Sequence, residues 1–131
     1  MPDRELEFWD GDGGAFLETV RSWPNDVRSA IGADLRRVQR GEEPRNFKPL
    51  KGFGVAAAEV RHNDGARVVY SVAFASVSGK VFIADAFMKD SGDGSEMRAA
   101  DRRRITDRLR QYKAKYNQQQ KKNKKQTRQL H

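Results

Sequence analysis

EVRHNDGARVVYSVAF, residues 59–74, decides the fold. Two runs rich in Val, Tyr and Phe flank Asn63-Asp64-Gly65, the pattern of a β-hairpin. A two-residue Asp64-Gly65 turn would mix apolar and polar side chains on both faces. A three-residue loop, with Gly65 in the left-handed position of a bulge, sets Arg61 opposite Arg67 and Val60 opposite Val68. Ala56, Ala58, Val60, Val68, Tyr70, Val72 and Phe74 then share one face, and Glu59, Arg61, Arg67 and Ser71 the other. A slip of one residue would carry a whole strand's side chains to the wrong face, so the three-residue loop is expected. Its consequence is chemical, because like charges directly across a strand pair repel. An anion shared by two guanidinium groups relieves that repulsion, and phosphate suits their planar donors. Neutralisation by Glu59, two residues from Arg61, is the alternative.

Working outward, residues 54–89 carry a second turn signal at Ser78-Gly79, which predicts a three-stranded antiparallel meander. Before it, Arg4 to Trp9 alternates like a half-buried strand. Phe16, Leu17 and Val20 follow at helical spacing up to Trp23-Pro24. Pro24 suits the first turn of a second helix, which carries Val27, Ala30, Ile31, Leu35 and Val38 and stops at Gly41. After the meander, Asp93 and Glu96 have capping-box spacing. Ile105, Leu109, Tyr112 and Tyr116 then mark a final helix. The expected class is α+β, in the order β-α-α-β-β-β-α. It comprises a small antiparallel sheet, an N-terminal αα-hairpin and a C-terminal helix, with the helices on one face.

At 131 residues and 37% hydrophobic, the chain fits one domain with a modest core. Residues 1–116 are expected to form it, and residues 117–131, almost without apolar side chains, a basic disordered tail. Residues 98–131 hold 13 Lys/Arg against 2 acids, which leaves 13 against 16 for the rest of a chain of net charge +8. The tail is therefore basic in bulk, and any basic surface on the domain must come from local clustering. Its composition suits a nucleic-acid-binding arm or a solubilising extension equally. The absence of Cys removes disulfides, thiolate metal sites and cysteine nucleophiles. No run approaches the ~20 apolar residues of a membrane span. A soluble, cytoplasmic protein without membrane association is expected.

Phe47-Lys48-Pro49-Leu50-Lys51-Gly52, Glu59-Val60-Arg61, Gly65-Ala66-Arg67-Val68-Val69-Tyr70 and Ala86-Phe87-Met88-Lys89 occur in that order. This ordered set, within residues 4–115, resembles the phage-derived branch of the RelE/HigB superfamily of toxins from type II toxin–antitoxin systems. Two departures stand out. Gly65 to Arg67 is one residue shorter than the usual spacing, and Asp90 stands where that branch carries a second lysine. The resemblance implies a RelE-like fold and a metal-independent endoribonuclease that cleaves mRNA at the ribosome. It also implies silencing by a cognate antitoxin, expected to be a helix-turn-helix protein. Arg61, Arg67 and Lys89 would handle phosphate, with Lys51 as a further basic contributor. Lys48, Lys113 and Lys115 are the expected RNA-binding lysines.

Cleaving RNA without metal requires a base for the ribose 2′-OH, cations for the crowded phosphorane and a proton for the leaving 5′-oxygen. Arginine suits the second task because its charge is permanent. Lys51 or Lys89 would transfer a proton if neighbouring cations lowered its pKa. His62 has the convenient chemistry, but it alternates with Arg61 and should point away from it. Tyr70 falls on the apolar face and reads as core. The two histidines, His62 and His131, have no carboxylate cluster beside them, so no metal site or cofactor is expected. Two other functions use the same fold. One is a ParE-like DNA gyrase inhibitor, which needs no catalytic residues. The other is a non-catalytic RNA- or ribosome-binding module.

Overall fold

A computed structural model describes residues 3–65, 68–77, 79–90 and 97–129, with side chains through residue 118. The elements are β1 (Glu5–Phe8), α1 (Gly14–Arg21), α2 (Asn25–Gln39), β2 (Phe47–Leu50), β3 (Ala57–Asn63), β4 (Val68–Val77), β5 (Lys80–Asp90) and α3 (Ala99–Gln129). They form one five-stranded sheet in the order β1-β5-β4-β3-β2. The α+β class and the expected order hold, with β2 added at one edge. Pro49 lacks an N–H and is tolerated on such an edge. The meander β3-β4-β5 is antiparallel, whereas β1 lies parallel to β5 and makes the sheet mixed. The final-helix periodicity is realised in α3, while Asp93 and Glu96 lie outside the described residues.

The hairpin register differs from expectation. Arg61 pairs with Ser71 and Val60 with Val72, and the last paired positions are Asn63 and Val69. The expected pairing is thus offset by four residues. An even offset preserves side-chain alternation, so the face assignments survive. Gly65 takes φ +87 as expected, and its N–H donates to Asn63 Oδ1 at 2.9 Å. This is an Asx turn, and the last pair, Asn63 with Val69, encloses more than three residues.

The helices are divided between both faces of the sheet, which corrects the one-faced arrangement. On one face, α1 and α2 bring Phe16, Val27, Ile31, Leu35 and Val38 onto Val60, Tyr70, Val72, Phe74, Val81 and Ile83. On the other, α3 sets Ile105 and Leu109 on Ala73, Ala75, Phe82, Ala84 and Phe87. Three small alanines let the helix approach closely, which a count of the polar residues on that face did not reveal. Tyr112 stacks on Phe82 at 4.1 Å between centroids, worth about 1 kcal/mol beyond the area it buries. An ion network built on two buried carboxylates joins the helix to β5. Asp85 accepts from Arg104 and Arg108, and Asp101 from Arg98 and Arg104.

A β-bulge decides which way the end of β5 faces. Ala73 pairs with Asp85, but Phe74 pairs with Ile83, which leaves Ala84 without a counterpart. One extra residue reverses the alternation beyond it. Val81 and Ile83 join the α1/α2 core, and then Phe87 and Lys89 turn toward the α3 side.

Helix α3 runs through residues 117–129, which the sequence reading gave to a disordered tail. Gln, Lys and Arg are strong helix formers, and no Gly or Pro interrupts residues 99–129. Packing ends sooner. Leu109 is buried, Tyr112 and Tyr116 are half-buried, and the next two residues are exposed. No helix among the described residues is long and apolar enough to cross a membrane.

Candidate functional site

Beyond the N-terminal end of α3, the sheet face it covers turns from alanine-lined to charged. Lys48 on β2 pairs across the ladder with Glu59 on β3. Arg61 follows two residues later, and Lys89 reaches in from β5. The Glu59 side chain is enclosed, at 1% exposed, and its Oε1 lies 3.5 Å from Arg61 Nε and 3.9 Å from Lys89 Nζ. These are ion pairs longer than hydrogen bonds. Glu59 Oε2 and the adjacent Ser71 Oγ are buried and have no hydrogen-bond partner among the described residues.

Burial pushes the Glu59 carboxyl above the usual carboxylate range, opposed by Lys89, Arg61 and Lys48. Burial likewise pulls the Lys89 ammonium below the usual lysine range. Glu59 opposes that shift, and Arg61 and Lys48 add to it. Both shifts have one origin, desolvation of charge. A lone buried carboxylate or ammonium would be very costly, and each makes the other tolerable.

Like the half-buried Lys48, Arg61 reaches solvent, at 29% side-chain exposure against 1% for Lys89. It opens onto a cleft of about 520 Å³ lined also by Arg45, Asn46, His62, Asn63 and Val69. The cleft exists because β2 stops at Phe47, opposite Val60, and leaves the end of β3 uncovered. The Arg61 N–H is met there by the Asn46 carbonyl at 3.0 Å. Since the cleft wraps this strand end, it takes in both Arg61 and His62, although they alternate along β3. Arg61 pairs with Ser71 and His62 with Tyr70, so along the strand the two side chains point to opposite faces, as expected.

The structure therefore gathers Lys48, Arg61 and Lys89 around Glu59, but not every residue singled out from the sequence. Arg61 faces Ser71 rather than Arg67, and Arg67 lies outside the described residues. Lys51 is exposed, and its carbonyl accepts from Arg102 Nη2 at 3.0 Å. There Gly52, at φ +87, leaves room for that guanidinium, which a Cβ would meet at 2.8 Å. Lys113 and Lys115 are exposed on α3. Lys115 borders a groove with Glu5, Glu7 and Lys80, at the opposite end of β5 from Lys89. Tyr70 is core, as expected, and its hydroxyl donates to Asp64 at 3.4 Å.

Glu59 had been weighed as a surface ion partner, and its enclosure is a tertiary fact. Arg45 was passed over inside a polar linker that has no periodicity to single it out. Among the described residues, no group of three or more His, Asp or Glu side chains is arranged to hold a metal ion.

The family model for phage-derived protein Gp49-like (DUF891) matches residues 18–113. The chain belongs to this Gp49-like family. The match takes in β2 through β5 and most of the packed part of α3, and with them Lys48, Glu59, Arg61 and Lys89. No curated protein and no solved structure gives a match.

Proposed function

We propose that this Gp49-like protein is the toxin of a toxin–antitoxin pair and cleaves mRNA at the ribosome without a metal ion. The observation that carries the reading is Arg61. It is a permanent cation at the mouth of an open cleft, fixed from behind by the enclosed Glu59. Family membership and the resemblance of the ordered motifs support the same reading.

In this mechanism Arg61 and Arg45 hold the scissile phosphate, and their charge is felt most strongly as the phosphorane forms. His62 lines the same cleft, and its imidazole is a group that can accept a proton. It takes the 2′-OH proton as that oxygen attacks phosphorus. The P–O5′ bond breaks as the leaving oxygen takes a proton from solvent water, giving a 2′,3′-cyclic phosphate and a 5′-OH. Glu59 is a positioning residue, which orients the Arg61 guanidinium and balances Lys89. Arg67 and Lys51 are further candidates for phosphate contact, and Lys48, Lys113 and Lys115 for the RNA backbone. An antitoxin, a helix-turn-helix protein in this reading, keeps the toxin silent.

The test is expression without antitoxin, followed by mapping of RNA ends. Growth should stop and transcripts should be cut, in extracts containing chelator as well. Intact transcripts with altered DNA supercoiling would replace this reading with gyrase inhibition. Intact transcripts with RNA or ribosome binding would leave a non-catalytic module.

A further inference from the structure

Arg45 stands where two grooves meet. One is the Arg61 cleft. The other, about 330 Å³, runs along the C-terminal half of α2 past Arg37 and Arg40 and shares Arg45 and Asn46 with the first. A buried carboxylate fixes the junction. Asp34, at 5% exposed, accepts the N–H of Arg45 at 2.8 Å and of Asn46 at 3.4 Å. The loop is thus tied to α2, and the arginines of both grooves keep a set relation. Ala30 and Ala33 leave the second groove open beside Arg37 and Arg40.

Arg37 and Arg40 meet Glu42 at 3.8 and 3.3 Å, with all three side chains substantially exposed. Such pairs contribute little to stability and exchange readily for a stronger anion. Phosphate is such an anion, since it accepts paired guanidinium donors. Neither of these arginines touches the Glu59 cluster, and α2 lies on the opposite face of the sheet from α3, so they serve no purpose already assigned.

We propose that the second groove is a phosphate-tracking extension of the first. Arg37 and Arg40 would hold backbone phosphates of single-stranded RNA flanking the one held by Arg61 and Arg45. This rests on the nuclease reading for the identity of the polyanion. A chain of regularly spaced charges fits two contiguous arginine-lined grooves better than an isolated anion does.

The experiment measures binding of a fully 2′-O-methylated RNA oligonucleotide, which cannot be cleaved, by fluorescence anisotropy over a salt series. Each phosphate contact to a single strand contributes about 0.7 to the slope of log K against log salt. Arg37→Ala/Arg40→Ala should weaken binding about fivefold or more at low salt and reduce that slope by about 1.4. Arg21→Ala/Arg110→Ala removes the same charge from exposed positions elsewhere and should leave binding near wild type. Arg40→Ala alone keeps the bond from Arg37 Nε to the Glu43 carbonyl and should show part of the effect, so that loop collapse does not explain it.

Equal losses in both double variants, or none in Arg37→Ala/Arg40→Ala, would overturn the extension. The two readings fail separately. If the wild type cuts RNA and the groove variants bind normally, the extension falls and the nuclease stands. If the groove variants lose binding but no RNA is ever cut, the extension stands and the nuclease falls.

Discussion

Lys89 Nζ lies 3.9 Å from Glu59 Oε1, with both side chains 1% exposed. Nothing in the local sequence joins these residues, which come from strands separated by β4. Because the pair is enclosed, it governs both the stability of this end of the sheet and the orientation of Arg61.

Glu59→Gln should destabilise the fold by about 3 kcal/mol, since it leaves the Lys89 ammonium buried without its counter-charge. The pH dependence has a definite sign. Lys89 has a lowered pKa in the folded state, so its contribution to stability improves as pH rises toward the unfolded value and worsens as pH falls through the folded one. Glu59 opposes this lowering, and its loss lowers the Lys89 pKa further. The deficit of Glu59→Gln in urea melts should therefore shrink between pH 7 and pH 10. A deficit independent of pH would show that Lys89 is not the group left exposed to the penalty.

Arg61→Ala should lower single-turnover cleavage of ribosome-bound mRNA by roughly 10² or more, the scale of losing one electrostatic stabiliser of a transition state. RNA affinity should change much less, because a phosphorane carries more charge than the ground-state phosphate. Comparable losses in affinity and cleavage would make Arg61 a simple binding residue.

Asp85→Ala should cost about 2–3 kcal/mol, because its carboxylate, 4% exposed, joins β5 to Arg104 and Arg108 of α3. Amide exchange should quicken in α3 before it quickens in α2, which packs on the other face. Uniform acceleration across both helices would mean that α3 is not docked chiefly through this network.

Removal of residues 117–131 should leave the thermal midpoint within a few degrees of wild type, because packing ends near Tyr116. We propose that residues 1–116 carry the fold and that the basic remainder adds RNA affinity chiefly at low salt. Exposed charges act over about 10 Å at 0.1 M salt, and less as salt rises. Unfolding of the shortened chain would show that the end of α3 is needed for docking.

Alternation and spacing within residues 59–74 determined which side chains of β3 and β4 share a face, because strand periodicity is local and survives an even change of register. Val60 and Tyr70 went to the core, and Glu59 and Arg61 to the other side, as the pattern requires. The helical spacing of Val27 to Val38 and of Ile105 to Tyr112 was equally legible. The order of the elements other than the edge strand β2 followed from these patterns.

The rest depended on contacts between distant segments. The offset that sets Arg61 opposite Ser71 reflects pairing along the whole hairpin, which a reading of its turn alone does not contain. Glu59 is surrounded by Lys48 of β2, its ladder partner, and Lys89 of β5, neither of them near it in sequence. The bulge at Ala84 turns Lys89 toward Glu59, whereas unbroken alternation from Ile83 would have sent it into the α1/α2 core. One unpaired residue reverses the parity of everything after it, and whether a residue is left unpaired is decided by the neighbouring strand.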